Sequence, residues 1–415
     1  MKRALAMVAL VAAPLPAAAQ SIAIVHAKAW TMLADAPVEN ATILIADGRI
    51  VSVKTGGAVP AGVTVIDAAG QPVTPGLMNG ATQIGLTEVS SAQDTRDTVA
   101  TGRASGPSFD VSYALNGNST LVELARADGV TRALSFPGAS ETAPFSGQAS
   151  TVRLRPGVDI LDHARAAMVA VIGGGAWDKA AGSRAGQWGL LRASLDEARL
   201  PATSPVGDDA LLNRRDVAAV RQVLAGAMPL AIVTHRESDI RQAAKLAQEY
   251  RIKVVIIGGS EAWRAADALA AAHVAVVLDP EANMPATFDQ IGTRQDNAAI
   301  LTRAGVTVAF GLVGGALEQN YNAGLVLREG AGIAVANGLT YIQALRAVTV
   351  NPAAIWAGRP ATIAPGGAAD LVVWDGDPLE PSSGAAAVII EGRQVPVTTR
   401  QSALQQRYAP LAVAP

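Results

Sequence analysis

From residue 228 onward, apolar runs about five residues long recur every 20 to 30 residues, with stretches of helical character between them. Leu230–Thr234, Lys253–Ile257, Val274–Leu278 and Val306–Phe310 are the runs. Ile240–Tyr250, Ser260–Ala271 and Asp296–Ala304 are the helical stretches between them, with Ser238-Asp239 placed to cap the first. Strands that are apolar without alternation are buried on both faces, and helices as spacers make such strands parallel. Extended over nearly 300 residues, the pattern favours a (β/α)8 TIM-like barrel. A doubly wound open sheet is the alternative, weakened because no G-x-G-x-x-G follows a strand.

Both ends read differently. Residues 21–72 hold four short strand candidates with tight turns, among them Asp47-Gly48, a strong hairpin signal. Strand signals return at Asp370–Trp374 and Ala386–Ile390, separated and followed by turns. Four short strands are too few to stand alone, so the two ends are expected to need each other. Residues 94–118, rich in Ser, Thr, Gly, Asn and Asp, read as a long loop.

Composition narrows the classes. The chain has 415 residues, 50% of them hydrophobic, which is ample for a large core. Net charge is -2 with no basic block, which argues against nucleic acid as a partner. There is no Cys, hence no disulfide or thiolate site. Lys2-Arg3, the apolar stretch Ala4–Ala13 and Ala17-Ala18-Ala19 predict a secretory signal over residues 1–19 and a mature chain starting at Gln20 in a bacterial periplasm. A buried N-terminal helix is disfavoured by Pro14 and Pro16. No later run is long and apolar enough to predict a membrane span.

Val73–Leu86 resembles the first metal-binding segment of the amidohydrolase superfamily, which reads P-G-[LF]-I-D-x-H-x-H at the end of the first barrel strand. Pro75, Gly76 and Leu77 match in front and Ile84-Gly85-Leu86 behind. Ile363–Pro378 is similar to the family's closing segment P-G-x-x-A-D-L-V-V-x-D-x-x-P, with Gly367 where a basic residue is usual. Gly129–Ser135, Phe136-Pro137-Gly138 and Phe145–Gln148 resemble a pattern of its secreted branch related to imidazolonepropionase. The resemblance implies a composite β-sandwich built from both termini (20–73 and 358–415) around a barrel (74–357). It also implies zinc-dependent hydrolysis of carbon–nitrogen bonds.

The ligand positions depart from that pattern. Ala81 and Gln83 stand in place of H-x-H; Gly258 replaces a histidine; Val313, beside Leu312, stands where a metal-binding aspartate is usual; and Val233 replaces one position of an H-x-[HN]-R segment that keeps His235. Zinc takes imidazole, thiolate or carboxylate. The chain has four histidines, His26, His163, His235 and His273, with no H-x-H or H-x-x-x-H pair. His26 belongs to the N-terminal strands, His163 to an expected helix over Ile160–Val171, and His273 to the wrong end of a strand. His235 alone follows a strand at its C-terminal end, where barrel chemistry sits. It is the candidate catalytic residue, and equally readable as structural. Gln83, His235, Glu261 and Asp279 form the expected ligand pocket. Glu261 also reads as a first-turn helix acid and Asp279 as a turn residue.

No cofactor is predicted, although the family would bind zinc. Zinc lowers the pKa of bound water from about 15.7 to about 7, roughly 12 kcal/mol of acidity. A lone general base supplies only about 10²- to 10⁴-fold. Two functions follow: an exported, non-catalytic relative that binds a small molecule or supports a partner (a second copy or an active paralogue), or an active hydrolase of C–N bonds using an atypical site around His235.

Overall fold

A tight reversal at Asp47-Gly48 sets the first sheet. Both residues take positive φ, 51° and 73°, the twist that suits a two-residue hairpin. The computed structural model describes residues 21–89, 91–102, 106–140, 144–174, 182–201, 210–282, 284–312, 321–358 and 361–409. The expected signal segment lies outside them. Strands β1 (Ile22–Ala29), β2 (Val38–Ala46) and β3 (Arg49–Thr55) form a meander, with Ala46 opposite Arg49 at the turn.

β1 has three neighbours because it bends. His26 sits at φ 51°, at a register shift. Before the bend β1 pairs with β4 (Thr64–Asp67); after it, with β5 (Pro72–Pro75). Asp67 Oδ1 lies 2.9 Å from His26 Nδ1 on the exposed side of this bend.

The two chain ends meet here. β14 (Leu371–Trp374) pairs antiparallel with β5, Val373 opposite Val73, and continues into β15 (Ala385–Ile390) and β16 (Arg393–Val395). The outcome is an eight-stranded composite sheet among the described residues. Ile22, Ile24, Ile43, Leu371 and Ile389 are fully or almost fully buried in its core. Each contributes about 1.5–3 kcal/mol through burial.

The second eight-stranded sheet is the TIM-like barrel. Its strands are β6 (Leu77–Thr82), β7 (Val130–Ser135), β8 (Phe145–Arg153), β9 (Leu161–Val171), β10 (Leu230–Thr234), β11 (Val254–Gly258), β12 (Ala275–Leu278) and β13 (Val308–Phe310). One strand departs from the repeat: β8 runs antiparallel to both β7 and β9. The expected helix over Ile160–Val171 is therefore corrected to strand β9, and His163 stands opposite Thr151 on its exposed part. Hairpin pairing overrides the helical propensity of an Ala-rich stretch.

β6 and β13 close the barrel through a close approach. A β-carbon on Gly80 would fall 2.7 Å from the Phe310 carbonyl oxygen. The fully buried Asn79 bridges the seam, its Oδ1 accepting from Ala81 N and Leu312 N, both at 3.3 Å. Trp356 Nε1 donates to the Gly80 carbonyl at 2.8 Å from below. The interior is apolar, with Met78, Ala81, Val169, Ala231, Ile257 and Val277 in one cluster.

The composite sheet is bolted to the barrel by charge. Asp370 accepts from Arg132 Nε at 2.8 Å, and Glu391 accepts from Arg153 Nη1 at 2.7 Å. No helix among the described residues is long and apolar enough to cross a membrane.

Candidate ligand site at the barrel mouth

The C-terminal ends of β10, β11 and β12 surround a cavity of about 350 Å³. Its lining includes His235, Gly258, Ser260, Asp279, Gln290 and Asn297. Larger cavities lie elsewhere, one at the junction of sheet and barrel and one under the 106–114 segment. Neither gathers residues from the C-terminal ends of several parallel barrel strands, as the mouth cavity does. The mouth cavity is therefore the candidate site.

Backbone hydrogen bonds stitch its floor. Gly259 N donates to the Thr234 carbonyl at 2.7 Å, and Glu261 N to the His235 carbonyl at 2.9 Å. Between them β11 turns sharply, with Gly258 at φ 99° and Gly259 at φ 58°. Ser260 follows, then a short 3-10 helix, Ala262–Ala265. The turn brings Ser260 Oγ to 2.8 Å from His235 Nδ1.

His235 is half-buried. Burial pushes its pKa down, and the Asp289 carboxylate pulls it part of the way back. The ring is therefore neutral near pH 7 and can accept a proton. Asn297, only 6% exposed, donates through Nδ2 to the carbonyls of Gly259 (2.9 Å) and Ser260 (3.3 Å). Those two acceptors orient the amide, and its buried Oδ1 has no partner among the described residues.

The segment 284–296 lines the cavity through Ala286, Gln290, Thr293 and Arg294. Asp289 anchors it, accepting from Gly174 N at 2.7 Å and pairing with Arg184, which also reaches Asp239 at 3.2 Å.

The expected pocket residues do not all converge. His235 and Asp279 line the cavity; Asp279 Oδ1 also accepts from Glu281 N at 3.2 Å, as in a turn. Glu261 is adjacent but not among the lining residues. Its Oε2 accepts from Glu237 N (2.9 Å) and Oε1 from Gly292 N (3.1 Å). It thus caps the helix Glu237–Tyr250, whose capping was expected from Ser238-Asp239 and which in fact begins two residues before Asp239. Gln83 stands elsewhere on the rim, where a β-carbon on Gly138 would lie 3.6 Å from its Nε2. Ser260 and Asn297 escaped sequence reasoning. The readable trace was a Gly-Gly-Ser turn directly after an apolar run.

The residues present do not fit a zinc ion. Ala81 is fully buried in the apolar interior, with Val233 packed against the same cluster. Gly258 has no side chain, and the His235 ring takes the space beside it: a β-carbon there would fall 2.7 Å from His235 Cε1. Gln83 offers an amide, which is not a usual zinc donor. Val313 lies outside the described residues. Among the described residues no group of three or more His, Cys, Asp or Glu could hold a metal.

Neither a family model nor a curated protein matches the chain by sequence. Solved structures do match. An amidohydrolase from Thermotoga maritima superposes with a TM-score of 0.79 over 90% of this chain and 99% of that chain, at 23% identity. An adenosine deaminase from Xanthomonas campestris with bound zinc gives a TM-score of 0.56 at 18% identity, covering 96% of this chain and 99% of that one. Molinate hydrolase gives 0.55, also at 18% identity, covering 96% and 97%. The chain has the amidohydrolase fold, composite sheet included.

Proposed function

We propose that this amidohydrolase-fold chain works without a bound metal and uses the mouth cavity to bind a small polar molecule. The observation that carries the reading is the packing of His235 against Gly258, which fills a metal-ligand position of the fold with a neutral ring. Ala81 and Val233 in the apolar interior support it, because rebuilding a site there requires several polar side chains inside a packed core. Asn297 lines the cavity and its buried Oδ1 has no partner among the described residues, so a small side-chain shift would let a ligand N–H or O–H satisfy it.

The proposal includes export through residues 1–19 and a partner, either a second copy or an active paralogue. N-terminal sequencing of exported protein should begin at Gln20; retention of Met1 would remove the export part.

Metal analysis of the purified mature chain tests the central claim. Less than about a tenth of a metal per chain is expected, and near-stoichiometric zinc would overturn it. A thermal-shift screen against small polar molecules should return ligands whose effect disappears in Asn297→Ala. Ligands indifferent to that change would move the site elsewhere. The Ser260–His235 contact favours a second reading, a metal-free reaction at the same cavity.

A further inference from the structure

We infer that Ser260 and His235 are a nucleophile–base pair that hydrolyses small uncharged esters in the mouth cavity. The inference rests on the metal-free reading of that cavity and adds a reaction to it.

Three observations meet at this pair. The first is reach: Ser260 Oγ and His235 Nδ1 are 2.8 Å apart, within the distance a base needs to take a hydroxyl proton. The second is placement. Ser260 sits in a strand–turn–helix, after Gly258 and Gly259 at positive φ and before a 3-10 helix. A sharp turn of that kind presents the nucleophile of α/β-hydrolases at the end of a strand. The third is enclosure: both residues line one cavity with Gln290 and Asn297. Burial keeps the imidazole neutral, the form a general base requires.

The cavity's chemistry selects the substrate class. Its cationic lining residue, Arg294, is held by Asp296 and stacks on Trp263 at 4.6 Å. Asp279 adds a carboxylate, so an anionic substrate is disfavoured. A volume of about 350 Å³ lies at the low end of ligand pockets and suits a short acyl group. An ester is favoured over an amide because an acidic alcohol or phenol leaves readily with little help from an acid, whereas an amine must be fully protonated before it can leave.

The steps balance without a metal. Ser260 Oγ attacks the acyl carbon while its proton passes to His235 Nδ1. The tetrahedral adduct collapses, the acyl–O bond of the ester breaks, and the leaving oxygen takes the proton from His235. Water then attacks the acyl-serine, giving a proton to His235. Ser260 regains that proton as the carboxylic acid is released. The amides of Gln290 and Gln295, both in the lining, offer N–H donors to the developing oxyanion.

The mature chain, treated with a chelator, is incubated with a fluorophosphonate and analysed by peptide mass spectrometry, and p-nitrophenyl acetate turnover is followed in parallel. One adduct on Ser260 is expected, with turnover reduced at least about 100-fold in Ser260→Ala and in His235→Ala, and unchanged in the exposed control His273→Ala. Absence of an adduct on Ser260 in the wild-type chain, or equal turnover in Ser260→Ala, would overturn the inference. Wild-type labelling decides the matter even if a variant fails to fold. Stoichiometric zinc together with Ser260 labelling would sink the metal-free reading alone; metal-free protein without labelling would sink only the ester chemistry.

Discussion

The imidazole of His235 stands where a side chain at Gly258 would have to begin: a β-carbon on Gly258 would meet His235 Cε1 at 2.7 Å, Nε2 at 3.0 Å and Nδ1 at 3.1 Å. A histidine after one strand and a glycine at the end of the next share this space. These are two halves of one packing solution, reinforced by the positive φ of Gly258, which disfavours any other residue.

Substituting Gly258 therefore tests that packing. Gly258→Ala should lose about 2–4 kcal/mol from overpacking plus backbone strain. In the double variant with His235→Ala the steric part should be relieved, so the two effects are non-additive. Urea denaturation of the four proteins in this cycle measures the coupling. Strict additivity would mean that ring and glycine do not share the space.

His235 also makes a pH prediction. Burial lowers its folded-state pKa below the unfolded value of about 6.5. The unfolded chain then binds more protons than the folded one between the two values, so stability rises with pH in that window. The contribution is complete above about 6.5 and is lost as pH falls through the folded pKa. Chemical denaturation between pH 5 and 8 should show this slope in the wild type and a flatter one in His235→Gln. Identical slopes would place the loss on other groups.

Asn79 closes the barrel seam by accepting two backbone N–H groups, Ala81 N and Leu312 N. Asn79→Ala leaves both without that acceptor in a buried setting and should cost about 2–4 kcal/mol. Hydrogen exchange should show faster exchange at Ala81 than elsewhere on β6, and faster exchange at Leu312 beyond β13. Uniform exchange along the strand would argue that the close approach at Gly80 holds the seam without Asn79.

Glu261 holds the start of the helix Glu237–Tyr250 and the backbone of Gly292. Glu261→Ala should cost about 1–2 kcal/mol, as loss of an N-terminal cap does, with Glu261→Gln recovering part of it through its one amide oxygen. Thermal melts of both variants check this order. Equal losses in the two variants would point to the charge, which both lack, acting on the helix dipole, as the dominant effect.

Much of the architecture was legible. Non-alternating runs such as Leu230–Thr234 and Lys253–Ile257 announce a parallel sheet, and Asp47-Gly48 announces a hairpin, because burial on both faces and positive φ leave direct marks on residue choice. β9 was misread because Ala-rich sequence does not distinguish a helix from a strand held by a hairpin partner. Counting from strand ends leads to His235 and Asp279, which line the candidate cavity. It does not lead to Ser260 and Asn297, since a lone Ser or Asn acquires meaning only from what faces it.

The amino-acid sequence by itself determined the alternation that builds the barrel and the framing Pro and Gly residues that mark its first strand. It also determined that ligand-type side chains are absent at Ala81, Gln83 and Gly258. Those properties are local, written in residue type and spacing. Only the tertiary structure decided what surrounds those positions: that the His235 ring fills the space at Gly258, that Ser260 lies within reach of that ring, and that Glu261 caps a helix. Each of these is a contact between residues brought together by separate strand ends, and its distance is set by the turn at Gly258–Gly259 and the packing of the barrel around it.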